Sequence, residues 1–152
     1  MYKKIGKKTS LKKRKKATGG PSLKNLEKYA WTEFSKFIRL RDCLKTTGAE
    51  DYGLCFTCGA RKHFKELDAG HFVKSTHKEI KFDERNVNAQ CQKCNRFNGG
   101  EEAEYLVRLE FSLGRDVVDY LMSQKGKSRT FTRDELVEIR EKYKNKQEKL
   151  KA

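Results

Sequence analysis

The sequence predicts a small α+β domain stapled by a structural metal, flanked by helices and preceded by a basic, disordered tail. Three observations carry this. Two Cys-x-x-Cys pairs, Cys55/Cys58 and Cys91/Cys94, stand 32 residues apart. Apolar residues recur at helical spacing before and after them, whereas the stretch between them reads as short strands. Charged residues make up 38% of the 152-residue chain against 36% hydrophobic, so the core is modest, and a core of this kind often needs a metal staple.

Residues 1–21 are the tail. Lys3, Lys4, Lys7, Lys8, Lys12, Lys13, Arg14, Lys15 and Lys16 are met by no acid, and Gly19-Gly20-Pro21 closes the segment. Such a run repels itself, and its functional reading is salt-sensitive phosphate binding. The net charge of +15 calls for a polyanionic partner. Nucleic acid is favoured over an anionic membrane, because the basic run lacks the apolar face of an interfacial helix. No apolar run is long enough to span a bilayer, and the N-terminus has no signal-peptide core. A cytoplasmic location is expected. The odd count of five cysteines fits a reducing interior and metal-bound thiolates better than a disulfide framework.

Residues 22–152 are the folded domain. Ser22 caps a helix from Leu23 to about Leu44 (22–45 with its flanks), with Leu26, Tyr29, Ala30, Phe34, Phe37, Ile38 and Arg41 at three- and four-residue spacing. This stripe suits a core or a dimer interface, and Cys43 near the helix end reads as a buried apolar thiol. Thr46 to Tyr52 reads as a loop. The zinc-bearing core covers 53–100. Gly59 lets the backbone turn after Cys58. Leu67–Val73 is expected to be a strand, with Ile80–Phe82 as its partner. A short helix is expected at the second cysteine pair, stopped by Asn98-Gly99-Gly100.

The C-terminal helices fill 101–152. Glu101 to Leu113 repeats Ala103, Leu106, Leu109 and Leu113 and ends at Gly114. Val117 to Met122 forms another short helix. Thr132-Arg-Asp-Glu135 resembles a capping box. The helix behind it places Leu136, Ile139, Tyr143 and Leu150 on one stripe, for packing within the domain or for dimerisation.

Four thiolates at this spacing close a tetrahedral zinc site, and the 32-residue gap is longer than the usual ribbon spacing of about 15–20, so something is inserted between the pairs. The insert holds Asp68-Ala-Gly-His71 and Asn86-Val-Asn88, and Asn95 directly follows the last cysteine. Phosphodiester hydrolysis needs an activated water, neutralised phosphorane charge and a stabilised leaving oxygen. A histidine near neutral pH serves as base, and a divalent cation with oxygen ligands serves the phosphate and leaving group. Taken singly, His71 reads as a structural histidine, Asn86 as a turn residue and Asp68 as a solvated acid.

Taken in order, they resemble the HNH, or ββα-metal, nuclease motif: a histidine on the first strand, a central asparagine, and His or Asn on the helix. The central Asn lies five positions before the third cysteine, here Asn86, and the last member follows the fourth, here Asn95. Asp68-Ala-Gly-His-Phe72, Phe82-Asp-Glu-Arg-Asn-Val87, Gln90-Cys-Gln-Lys-Cys-Asn95 and the following Gly99 are similar to the phage NinG/Rap family, over about Tyr29 to Leu150. Members of that family are recombination endonucleases acting on branched DNA, including Holliday junctions.

The resemblance implies an HNH-type core with structural zinc on Cys55, Cys58, Cys91 and Cys94 and catalytic magnesium or manganese. It makes His71 the general base, Asn86 its orienting hydrogen-bond partner, and Asn95 and Asp68 the cation ligands. The general motif puts its acid directly before the histidine, where Gly70 stands. Gly70 would then have to bend the strand to bring Asp68 round, since strand alternation faces Asp68 away from His71. Arg85 and Arg96 flank the site and are candidates for phosphate clamps. His63 and His77 have no motif position. Symmetric cutting of a four-way junction implies a homodimer, with the helices at Leu23–Leu44 and Leu136–Leu150 as candidate interfaces. Phage recombination proteins are further implied partners, and the infected bacterial cytoplasm the implied location. The rival readings are an HNH nuclease for linear duplex and a non-catalytic zinc module that binds nucleic acid.

Overall fold

Ser22 starts the first helix: its hydroxyl accepts a hydrogen bond from Asn25 N at 3.2 Å. The computed structural model describes residues 19–152, so the expected phosphate-binding run Lys3–Lys16 lies outside the described residues. Helix α1 (Leu23–Thr47) ends where Gly48 N donates to Leu44 O. It runs past the expected Leu44 because Thr46 and Thr47 cap it from their side chains. The Thr46 hydroxyl donates to Asp42 O and accepts from Leu54 N, and the Thr47 hydroxyl donates to Tyr52 O at 2.6 Å.

Two antiparallel hairpins follow. Strands β1 (Tyr52–Leu54) and β2 (Arg61–His63) flank the first cysteine pair. Strands β3 (Leu67–His71) and β4 (Val87–Cys91) pair from Leu67 opposite Cys91 to His71 opposite Val87. The expected pairing of β3 with Ile80–Phe82 is therefore corrected: Lys78–Ile80 is a single 3-10 turn. Phe72 to Asn86 forms a loop pinched at its base by Phe72 N donating to Asn86 O at 2.8 Å. Val87–Cys91, for which no strand was expected, supplies the partner instead. A short helical turn with i to i+5 bonding, Lys93–Phe97, carries the last cysteine and Asn95.

Helices α2 (Glu102–Leu113), α3 (Arg115–Ser123) and α4 (Arg133–Lys151) complete the mixed α+β fold. The capping box of α4 forms as expected, with Glu135 N donating to Thr132 Oγ1 and Thr132 N to Glu135 Oε2. Helix α4 packs along α1. Leu26, Ala30, Phe131 and Leu136 make one apolar cluster, and Phe34, Phe37, Ile38 and Tyr143 join Ala69 and Val87 in the next. The two stripes named as dimer interfaces thus bury each other within one chain. Tyr29 and Leu150 stay outside that contact, 40% and 38% exposed.

Helix α2 is turned from its expected face. Tyr105 and Leu109 are buried, whereas Leu113 is exposed. Tyr105 can be buried because its hydroxyl is satisfied twice, donating to Gly70 O at 2.8 Å and accepting from Asn88 Nδ2 at 3.1 Å. From the other side Asp42, itself buried, accepts from Ala89 N at 2.7 Å, and Arg41 donates to Glu84 O and Val87 O. The β3–β4 pair is thereby clamped between α1 and α2. Among the described residues no helix is long and apolar enough to cross a membrane.

Candidate functional site

The four cysteines converge. Cys55 and Cys58 lie between β1 and β2, Cys91 ends β4, and Cys94 sits on the following helical turn. All four sulfurs lie within 4.8 Å of one another, and Cys58 Sγ is 3.9 Å from Cys91 Sγ. A tetrahedron of about 2.3 Å zinc–sulfur bonds has edges of about 3.8 Å, so this donor set fits zinc. Gly59 makes the turn with φ 72°, where its N–H donates to Cys55 O. Burial raises the Cys55 thiol, but donors from the Cys58 amide, the Thr57 hydroxyl and the Cys91 amide outweigh it and bring it down to about 6. Cys94 is pushed up to about 12 by burial and by the neighbouring sulfurs. One ready thiolate among crowded thiols suits capture of a divalent cation, which relieves the repulsion among the rest. Cys43 stands apart, packed on Leu67 and Ala89, and burial lifts its thiol to about 11.

His71 closes β3. Its ring stacks on Trp31 with centroids 4.9 Å apart, and Nε2 lies 3.0 Å from Lys81 O. A carbonyl only accepts, so Nε2 carries the proton and Nδ1 keeps its lone pair. Burial depresses His71 to about 4, so the ring is neutral at pH 7.

The expected hydrogen bond from Asn86 to His71 is not the one that forms. Asn86 is fully buried; its Oδ1 accepts from Val73 N at 2.8 Å, and Nδ2 donates to Val73 O at 2.8 Å and Ile80 O at 3.3 Å. It therefore clamps the two ends of the 73–80 loop, and the residue after that loop offers the carbonyl that fixes His71. Asn86 acts on His71 through the backbone.

Nor does Gly70 bend Asp68 towards His71. Strand β3 keeps an unbroken register, so Asp68 stays on the opposite face. Its carboxylate is held by Arg96, with Nε to Oδ2 and Nη2 to Oδ1 both at 2.7 Å, and by Asn95 Nδ2 at 3.0 Å. Burial opposes ionisation, yet these donors hold the Asp68 carboxyl below its usual range. Gly70 answers a different need. A Cβ there would lie 2.0 Å from Gln90 Oε1 and 3.0 Å from Asn95 Oδ1. Gln90 in turn donates to Thr57 Oγ1 at 3.1 Å and Gly100 O at 2.9 Å, joining the first cysteine pair to the site.

The two arginines expected to clamp phosphate are engaged within the chain. Arg96 holds Asp68, while Arg85 holds Asp83 and lies over the Tyr120 ring. His63 and His77 are structural: their Nδ1 atoms accept from Lys65 N and Gly126 N.

His71 and Asn95 line one open cleft of about 460 Å³ together with Trp31, Lys74, Lys81 and Gly100. Sequence reasoning missed Trp31, the Lys81 carbonyl, Gln90 and Tyr105. Only Gln90 left a signal, as the residue directly before Cys91 in the second cysteine motif.

A family model described as Bacteriophage Lambda NinG protein matches residues 2–152. Among curated proteins the chain is similar to Protein ninG of Escherichia phage 933W, 33% identical over 93 residues that make up 60% of this chain and 45% of that relative. Protein ninG of Escherichia phage lambda is 31% identical and that of Salmonella phage P22 32% identical over the same lengths and shares. The aligned part spans about half the length of these relatives. No solved structure matches.

Proposed function

The chain belongs to the NinG family, and on that footing we propose that it is a zinc-stabilised, cation-dependent endonuclease that cuts branched DNA, such as four-way junctions, in phage recombination. One observation carries the reading. His71, in a cleft shared with Asn95, has its Nε2 fixed by a backbone carbonyl and is neutral at pH 7. That is the state a general base needs. The order strand, strand, helical turn, with His71 on the first strand and Asn95 on the turn, is also the order of the motif the sequence resembles.

In the proposed reaction His71 Nδ1 takes a proton from water as the water oxygen bonds to phosphorus. The bond to the 3′ oxygen breaks, and that oxygen leaves with the electron pair and is protonated from solvent. Trp31 and Lys81 O keep the imidazole in place throughout. A divalent cation, magnesium or manganese, would neutralise charge on the phosphate and the leaving oxygen. Asn95 Oδ1 is the donor available to it, because Asn95 Nδ2 is turned to Asp68. Asp68 would join only by exchanging Arg96 for the cation. Zinc on the four cysteines would hold the fold and touch no substrate. Cutting two strands symmetrically asks for two copies, which must meet through surfaces other than the buried stripes of α1 and α4.

The test is cleavage of a synthetic four-way junction, with magnesium or manganese, by wild type and His71→Ala. Wild type is expected to nick the junction in preference to linear duplex, and His71→Ala to bind it without cutting. Wild type that binds junctions but never cuts them, whichever divalent cation is added, would leave a non-catalytic zinc module. Equal cutting of linear duplex would remove the branched-DNA assignment.

A further inference from the structure

A second cleft, of about 660 Å³, opens beside the first along α1. Its walls carry Lys24, Lys28, Lys78 and Lys81, with Glu27 as the acid among them. Trp31 and Lys81 line both clefts, so this groove adjoins the cleft that holds His71 and Asn95. Lys24, Glu27, Lys28 and Trp31 recur at three- and four-residue spacing, so one face of α1 forms the wall. Lys24 and Lys28 stand about 6 Å apart along the axis, a length over which one DNA strand presents about two phosphates.

Among the described residues Glu27 is the only carboxylate in this wall, and it is already engaged. Its Oε2 accepts from Lys78 Nζ at 3.1 Å and its Oε1 from Lys81 Nζ at 2.5 Å. A bidentate anion between two lysines is what a phosphodiester would also offer. Lys81 sits at the junction: its side chain faces Glu27, while its carbonyl holds His71.

We propose that this groove is the track for the DNA strand running away from the scissile phosphate. Lys24 and Lys28 bind its backbone, and the Glu27 carboxylate occupies, between Lys78 and Lys81, the place that a phosphate takes in the complex. The inference rests on the DNA-cutting reading above for its substrate but concerns binding alone. It places strand contacts in the folded domain, apart from the lysine run at 3–16 and from Arg85 and Arg96.

The experiment measures junction binding as a function of salt, without added divalent cation, in full-length His71→Ala protein. Lys24→Ala/Lys28→Ala is compared with Lys144→Ala/Lys149→Ala, which removes the same charge from exposed positions on α4. Zinc content and melting temperature are checked for each. The groove pair is expected to weaken binding about tenfold and to lower the slope of log affinity against log salt by about 2. The α4 pair should leave that slope unchanged. Glu27→Gln should tighten binding by removing the competing carboxylate. Equal losses in the two lysine pairs, or Glu27→Gln that binds no tighter, overturns the proposal. Since no cutting is read, a protein that binds through this groove but never cleaves defeats the nuclease reading and leaves the track standing.

Discussion

Asn86→Ala separates two ways in which an asparagine can serve a histidine. The structure gives its side chain three hydrogen bonds, to Val73 N, Val73 O and Ile80 O, and none to His71. Truncation leaves Val73 N and Val73 O without partners where Val73 is 1% exposed, whereas Ile80 O still accepts from Asp83 N at 3.2 Å. An orphaned buried group costs about 1–3 kcal/mol. The two Val73 bonds therefore set the scale, and the total is about 2–6 kcal/mol. That is a large share of the roughly 5–15 kcal/mol that holds a domain together. With a urea slope of about 1–3 kcal/mol/M, the unfolding midpoint should fall by about 1 M or more. Nitrogen-15 spectra of His71 should also show mixed tautomers, because the loop carrying the Lys81 carbonyl is loosened. A midpoint within about 0.3 M of wild type, with a perturbed His71 signal, would mean that Asn86 acts on the ring directly and would refute the loop clamp.

Three further outcomes are expected. Cys94→Ser should lose its bound zinc and unfold much of the domain, because metal binding and folding are coupled at such sites; retained wild-type melting would show that the cluster is not structural. Gly70→Ala should lower stability by about 1–3 kcal/mol as Gln90 is pushed from its partners, and an unchanged melting temperature would deny the 2.0 Å approach to Gln90 Oε1. His71 is depressed from 6.5 to about 4 on folding, so the unfolded chain takes up this proton first on acidification. Its contribution is complete above pH 6.5 and is lost as pH falls towards 4, by at most about 3 kcal/mol. Urea titrations from pH 7 to 4.5 should therefore fall less steeply for His71→Gln than for wild type, and equal slopes would contradict the burial of the ring.

What the sequence makes legible here is what depends on local spacing. Ser22 and Thr132 announce their helices because a cap bonds amides two to three residues away. The cysteine pairs announce a metal because each pair is local. Their meeting is a matter of tertiary structure, but a zinc site needs four ligands, and that need supplies the inference. The failures all involve partners distant in the chain. The match of β3 with β4 rather than with Ile80–Phe82 is fixed by Asn86 closing the intervening loop, and nothing in the apolar pattern of residues 80–82 reveals it. Tyr105 escaped the α2 stripe because its burial depends on Gly70 and Asn88, 35 and 17 residues away. Gly70 reads as a strand breaker until the Gln90 side chain is known to need its place.

The site residues divide by what holds them. His71 is fixed by the Lys81 carbonyl and by Trp31 of α1, which packs against the aromatic cluster shared by α1 and α4. Asn95 rides on the Lys93–Phe97 turn, directly after Cys94, and is steadied by Asp68, itself locked by Arg96. The two halves are joined by the β3–β4 pairing and by Gln90, which reaches from Gly70 to Thr57 beside the cysteines. Loss of zinc should therefore free the Asn95 half first and leave His71 seated on Trp31. Asp68 then has a physical reason to lie between Asn95 and Arg96: it links the Asn95 amide to the strand that carries His71.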